Sequence, residues 1–305
     1  MMISIVSPVY NAASIIPKLI EALTHELEQI TKEYEIILVD DRSPDTSWQV
    51  MYNAAQENKN VKCLRLSRNF GQHYAVTAGL SAASGDVIIL MDCDLQDDPI
   101  YIKVLFNEFQ NGSEIVYSQR IERKHKLFKR IGAFTFNILF RIFSDKQYDI
   151  QFGSMTLITR KVQKAFLEIR DQDRLYIQIL KWLGFKSSYV AIEHKQRFAG
   201  KSSYSISKLI SMAFQGWTSH STRLLKLSIY SGIIFSSFAF IGIFLALYQY
   251  FLYNIQPGWT SLIILILLST GMIQLSIGIV GLYIGKVFNQ SKNRPLYIID
   301  ESINF

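Results

Sequence analysis

Residues 34–45 read Tyr34-Glu35-Ile36-Ile37-Leu38-Val39-Asp40-Asp41-Arg42-Ser43-Pro44-Asp45. A short apolar, β-branched run stops abruptly at two carboxylates and a turn. A short run of this kind, bounded by turn residues, predicts a β-strand. The same form recurs on either side. Residues 3–7 are apolar and end at Pro8, followed by Val9-Tyr10-Asn11. Residues 61–66 lead to Arg68-Asn69, and residues 86–91 lead to Asp92-Cys93-Asp94. Between these runs lie stretches with helical character at 14–30, 45–57 and 71–83. Strands alternating with helices of this length predict βαβ units on a mainly parallel sheet, an α/β fold. Ligands of such sheets bind at the carboxyl ends of the strands. The polar clusters fall at those ends.

The whole chain has 305 residues, a net charge of +7 and 49% hydrophobic residues. The apolar excess is concentrated after residue 226. Residues 227–253 and 259–285 contain no Asp, Glu, Lys or Arg, and each exceeds the ~20 apolar residues that cross a bilayer. They predict a two-helix transmembrane hairpin with a short connector at 254–258. Lys201, Lys208, Arg223 and Lys226 precede it; Lys286, Lys292 and Arg294 follow it. The positive-inside rule then puts both flanks in the cytoplasm. Tyr248, Tyr250, Tyr253 and Trp259 would form the outer aromatic belt. Gly281 and Gly285 have the spacing of a small-residue helix contact, with the first span or with another subunit of a homo-oligomer.

The start, Met1-Met2-Ile3-Ser4-Ile5, has no basic segment ahead of an apolar one, so the amino-terminal part is expected to stay in the cytosol. Residues 121–144 and 204–226 are basic and aromatic with helical spacing. This pattern fits interfacial amphipathic helices, and for the first of them an ordinary surface helix equally well. The expected organisation is a catalytic domain at 1–200, a juxtamembrane helix at 201–226, the hairpin at 227–285 and a cytoplasmic tail at 286–305.

Cys63 and Cys93 both sit in apolar runs and read as reduced structural thiols. No Walker A, Gly-x-Ser-x-Gly or Gly-x-Gly-x-x-Gly motif occurs. The basic residues lack the aromatic interleaving of a nucleic-acid surface, so no nucleic-acid partner is expected. The strongest chemical signal is Met91-Asp92-Cys93-Asp94-Leu95-Gln96-Asp97-Asp98-Pro99. Carboxylates two residues apart after a strand can converge on one hard cation, Mg²⁺ or Mn²⁺, which prefers oxygen ligands and shares them with phosphates. Asp97 and Asp98 read as caps of a helix starting near Pro99, and Asp45 as another N-cap. Asp40 and Asp41 resist a structural explanation, because adjacent carboxylates repel. His73 is open between a nucleotide contact and a packing role.

These residues resemble the family-2 inverting glycosyltransferases of GT-A fold. The pieces that match are Ser7-Pro8-Val9-Tyr10-Asn11, the stretch from Val39 to Ser47, Arg68-Asn69-Phe70-Gly71-Gln72-His73, and Met91 to Gln96. The likeness continues through Gln119-Arg120-Ile121-Glu122-Arg123, Arg197-Phe198-Ala199-Gly200-Lys201-Ser202 and Asn293-Arg294-Pro295-Leu296-Tyr297. It is strongest to the polyprenyl-phosphate branch, which includes dolichol-phosphate mannose synthases and bactoprenol glucosyltransferases.

The resemblance implies transfer of one sugar from a UDP- or GDP-sugar, UDP favoured, to a membrane polyprenyl phosphate for cell-envelope polysaccharide. Extension of a lipid-linked oligosaccharide at a hydroxyl is the alternative. It implies that Pro8, Tyr10, Asp40 and Asp41 hold the nucleoside, that Asp92 lies near ribose and metal, and that Asp94 and Gln96 ligate Mg²⁺ or Mn²⁺. Asp149 matches an acidic position proposed as a base. Arg120, Arg123, Arg197, Lys201 and Ser202 would meet the acceptor phosphate. Two departures stand out. Ala12 replaces a Glu common in relatives, and Gly153-Ser154-Met155 replaces a Gly-Phe-Arg triplet.

Overall fold

The computed structural model describes residues 1–120, 152–193, 223–253 and 258–305. The elements, in chain order, begin with β1 (Ile3–Val9), α1 (Ile16–Glu28), β2 (Tyr34–Asp40), α2 (Ser47–Glu57), β3 (Val61–Leu66), α3 (Gln72–Ala82) and β4 (Val87–Leu90). They continue with α4 (Tyr101–Gln110), β5 (Ile115–Arg120), β6 (Phe152–Thr159), α5 (Arg160–Glu168), α6 (Tyr176–Leu183) and β7 (Ser187–Ile192). Last come α7 (Arg223–Tyr253), α8 (Trp259–Ser291) and β8 (Ile299–Ile303).

The eight strands among the described residues form one sheet in the order β7-β5-β6-β4-β1-β2-β3-β8. The central four, β4-β1-β2-β3, are parallel. Their side chains divide with the two-residue strand period. Ile3, Ile5, Ile36, Leu38, Val87 and Ile89 join the layer of α1, α2 and α4. Val6, Ile37, Val39, Ile88 and Leu90 join the layer of α3, α5 and α6. Burial on both faces explains why these runs are continuously apolar rather than alternating. Helix α1 shows the matching helical stripe, with Ile16, Leu19, Leu23 and Leu27 fully or nearly fully buried. Helix α3 presses close to β1, since a Cβ at Gly79 would lie 2.4 Å from Val6 Cγ1. That approach brings the amino end of α3 to the carboxyl edge of the sheet.

The chain runs β1, β2, β3 in one direction, then crosses back to place β4 on the other side of β1. The order therefore reverses between β1 and β4, the position at which such sheets bind ligands. β6 is antiparallel to both β4 and β5, and β7 is parallel to β5. The ends of β5 and β7 and the start of β6 thus lie at the same edge as the carboxyl ends of the central strands. The chain leaves the described residues at this edge toward 121–151 and toward 194–222.

Two compact units result. Residues 1–124, 149–202 and 294–305 belong to the unit that holds the sheet, while 125–148 and 203–293 belong to the other. The tail expected at 286–305 divides between them: α8 extends to Ser291, and β8 joins the sheet beside β3. In the second unit α7 begins at Arg223, four residues before the expected span, and α8 outlasts residue 285 by six residues. The two helices pack against each other. Among the described residues, Leu268–Ser291 is long and apolar enough to cross a membrane, and Ser228–Gly242 is a shorter apolar stretch. The expected interfacial helix at 121–144 lies outside the described residues, as does the one expected at 204–226 up to residue 222; its last four residues are the start of α7 rather than a separate element.

Candidate active site

Four loops meet at the carboxyl edge of β1, β2, β3 and β4, and each contains a residue with left-handed backbone. Asn11 (φ 53°) follows β1, Arg42 (φ 56°) follows β2, Gly71 (φ 105°) follows β3 and Leu95 (φ 54°) follows β4. For Arg and Leu this conformation costs about 1 kcal/mol or more, and such outliers cluster where a loop shape serves a site.

Side chains sew the first two loops together. The N–H groups of Asn11 and Ala12 donate to Ser43 Oγ and Ser47 Oγ, each at 3.0 Å, and that of Ala13 donates to Asp45 Oδ2 at 3.2 Å. Asp45 Oδ1 also accepts from the N–H of Ser47, the first residue of α2. It thus caps the helix from one position earlier than expected, since the N-cap position itself belongs to Thr46. Burial pushes the Asp45 carboxyl up, but the hydrogen bonds from Ser47 and Ala13 outweigh it and hold the group below its ordinary value. Neither Asp97 nor Asp98 takes the N-cap of α4, which is Ile100 and has no side-chain cap; Asp98 Oδ1 instead accepts from the Ile100 N–H at 3.2 Å in the turn leading into the helix. Asp97 is buried.

Asp40 and Asp41 are both buried at the end of β2. Asp40 Oδ1 accepts from the Ser43 N–H at 3.0 Å, and Oδ2 lies 3.5 Å from Arg65 Nε. Asp41 accepts from the N–H groups of Phe70 and Gly71 at 2.7 and 2.8 Å. Separate partners answer the repulsion that made this pair hard to explain from sequence. Burial is the largest influence on Asp41 and raises its pKa, against the lowering effect of those two N–H groups. Both carboxylates therefore shape the loops that border the site.

Tyr10 is the exposed member of the group, with 53% of its surface open, whereas Pro8 is buried within β1. The Tyr10 backbone acts to lower the Cys93 thiol's pKa, against the larger raising effect of burial, so the β1 and β4 loops adjoin at the switch point. Asp92 and Asp94 flank that cysteine and are half-buried. The Gln72 side-chain amide donates to Asp92 Oδ1 at 2.6 Å. Asp94 Oδ1 accepts from the Gln96 N–H at 3.1 Å, closing the turn that Leu95 shapes. His73 packs against Tyr176, the two rings tilted at 51° with centroids 5.6 Å apart.

No group of three His, Cys, Asp or Glu side chains capable of holding a metal occurs among the described residues. The arrangement fits Mg²⁺ or Mn²⁺ in another way. Two carboxylates on one turn would leave most coordination positions to substrate phosphate oxygens and water, the habit of Mg²⁺. Both cysteines behave as structural thiols, with burial pushing each up to about 12.

The structure thus brings together Pro8, Tyr10, Asp40, Asp41, Asp92, Asp94 and Gln96 at one edge. Arg120 ends β5 at that edge. Asp149, Arg123, Arg197, Lys201 and Ser202 lie outside the described residues. Three contributors escaped the sequence reading: Ser43 as a loop staple, Gln72 as the partner of Asp92, and the N–H pair of Phe70 and Gly71. Their partners lie 20–32 residues away in sequence, so no local signal marks the pairing.

Residues 4–166 match the family described as Glycosyl transferase family 2, over more than half of the chain. The uncharacterized glycosyltransferase YkcC of Bacillus subtilis (strain 168) is 34% identical over 301 residues, covering 98% of this chain and 93% of that protein. The prophage bactoprenol glucosyl transferase homolog of Escherichia coli (strain K12) is 33% identical over 301 residues, covering 98% of each. In fold, 72% of the chain superimposes on 76% of glucosyl-3-phosphoglycerate synthase from Mycobacterium tuberculosis, solved with Mn²⁺, UDP and phosphoglyceric acid, with a TM-score of 0.51 and 15% identity. The chain belongs to glycosyl transferase family 2. It is a glycosyltransferase, and a relative from the polyprenyl-phosphate branch matches it from end to end, as the resemblance implied.

Proposed function

We propose that this enzyme moves one sugar from a UDP- or GDP-sugar to a polyprenyl phosphate at the cytoplasmic face of a membrane, with inversion at the anomeric carbon. The observation that carries the reading is the meeting of the four loops at the carboxyl edge beside the β1/β4 switch point, two of them strained at Arg42 and Leu95, where Tyr10, Asp92 and Asp94 come together. The full-length likeness to a bactoprenol glucosyl transferase homolog supports the lipid acceptor.

Tyr10 offers an exposed ring on which a nucleoside base can stack. Asp40 and Asp41 hold the loops at its side. The carboxylates of Asp92 and Asp94 and the amide oxygen of Gln96 would hold a divalent cation. When bound, that cation would balance the charge that develops on the departing diphosphate. An oxygen of the acceptor phosphate bonds to the anomeric carbon as the bond from that carbon to the donor diphosphate breaks, and its electron pair leaves with the nucleoside diphosphate. A phosphate monoester already carries nearly two negative charges, so its attack needs charge balance and steering rather than deprotonation. Arg120, Arg123, Arg197, Lys201 and Ser202 are assigned that work, since guanidinium groups grip phosphate in a bidentate fork. Asp149 then has little proton to remove.

Helices α7 and α8 are proposed as the membrane hairpin, with both flanks cytoplasmic. Their large apolar side chains face outward, Phe238 with 70% and Phe251 with 79% of its surface open. Apolar exposure on this scale marks a membrane or protein partner.

The test is release of nucleoside diphosphate by the full chain in detergent, over a panel of UDP- and GDP-sugars, with and without polyprenyl phosphate. Release should rise at least tenfold when the lipid phosphate is added with the right donor. Release with no donor of the panel, or release indifferent to the lipid, would overturn the assignment.

A further inference from the structure

The carboxyl-terminal strand β8 adds to the outer edge of β3, antiparallel and almost wholly exposed. Covering an edge is a sufficient reason for a short charged strand. Its side chains do more than cover. Glu301 Oε1 accepts from Arg65 Nη1 at 2.9 Å, and Arg65 Nε faces Asp40 Oδ2 at 3.5 Å. That nitrogen and that oxygen are both buried without a hydrogen-bond partner, so their mutual approach is what balances them. Asp40 in turn holds the Ser43 N–H, and Ser43 Oγ holds the Asn11 N–H beside Tyr10. A second link runs from Asp300 to the guanidinium of the left-handed Arg42 in the same loop.

The strand register explains how two consecutive acids serve one loop. Neighbours on a regular strand point to opposite faces. Here Arg65 pairs with Glu301 and Leu66 with Ile299, leaving Asp300 as the extra residue of a bulge. A bulge re-aims a side chain, and this one accounts for Asp300 reaching Arg42 while Glu301 reaches Arg65. Only residues 292–298 separate the end of α8 from this strand.

We propose that β8 is a working part of the donor site: Asp300 and Glu301 are positioning residues that fix the 40–47 loop against the β1 loop. The proposal rests on the reading of that edge as the nucleotide-sugar site. The two ion pairs are partly exposed, so they add little to stability. Their effect should appear in nucleotide binding instead.

The test uses the full chain in detergent, titrated with UDP and in parallel with GDP in the presence of Mg²⁺. For the nucleotide that binds wild type, the Asp300→Asn/Glu301→Gln variant should bind about fivefold more weakly, with an unchanged melting temperature. This is the size of one lost positioning contact. A second variant, Asp300→Arg, should weaken binding further, and adding Arg42→Asp to it should restore affinity. Unchanged affinity in the double-neutral variant overturns the inference while leaving the donor site standing. So does weaker binding that tracks a lower melting temperature and is not restored by the charge swap, since β8 would then only cover an edge. If wild type binds neither nucleotide, the donor-site reading itself falls, and this inference with it.

Discussion

Gln72, the first residue of α3, donates its side-chain amide to Asp92 Oδ1 at 2.6 Å, joining a helix start to the loop after β4. Partners that orient a metal-binding carboxylate typically matter 10–100-fold for metal affinity or activity. Gln72→Ala should therefore raise the Mg²⁺ or Mn²⁺ concentration for half-maximal turnover about tenfold. Metal-activation curves for variant and wild type check this. Superimposable curves would remove Gln72 from the site.

Asp94 should be indispensable for rate. Loss of one preorganised electrostatic contact at a developing charge costs ~10²–10³ in turnover. Asp94→Ala should fall in that range, and EDTA should abolish wild-type activity until Mg²⁺ or Mn²⁺ is restored. Near-normal turnover in either experiment would refute the metal assignment.

His73 should make the catalytic unit sensitive to acid. Burial pushes its pKa down from 6.5 to about 4, with Nδ1 buried and unpaired. Between those values the unfolded chain binds a proton that the folded chain refuses. Stability from this group is complete above about pH 6.5 and falls as pH drops toward 4, by up to about 1.4 kcal/mol per pH unit. His73→Phe should flatten that part of the stability profile, read as denaturation midpoints across the window. An unaltered profile would show that other groups govern it.

Topology can be read by thiol labelling. Burial holds both native thiols near pKa 12, so they should label slowly and give a low background. A cysteine placed at Gln256, in the connector outside the described residues, should react with an impermeant maleimide from outside intact cells. A cysteine added after Phe305 should not. Labelling of the carboxyl terminus from outside would overturn the two-span hairpin.

The central sheet was legible because β1 to β4 are apolar on both faces. Their bounds depart from the sequence reading by a residue or two, as where β1 runs on through Pro8 to Val9. Pro8 fits there because pairing with β4 has ended opposite Val6, so β4 loses no partner to the missing N–H. Strands β7 and β8 lack that signal. β7 alternates exposed with half-covered residues and buries only Ile192, and β8 is exposed along nearly its whole length, so neither carries the continuous apolar run that marked the central strands. The same holds at the site. Asp92 and Asp94 announce themselves by ending an apolar run. The partners of Asp40 and Asp41 are backbone N–H groups and an arginine from other loops, which only the fold brings near.

The most direct test of the proposed reaction is the mass of its lipid product. Membranes containing the enzyme, supplied with polyprenyl phosphate and the donor that supports turnover, should yield the lipid phosphate heavier by one sugar unit. The product should carry that sugar in a phosphodiester, and Asp149→Asn should still make it. Should polyprenyl phosphate remain unconsumed, with the sugar instead on a hydroxyl of a lipid-linked oligosaccharide and Asp149→Asn inactive, the phosphate-acceptor reaction is contradicted.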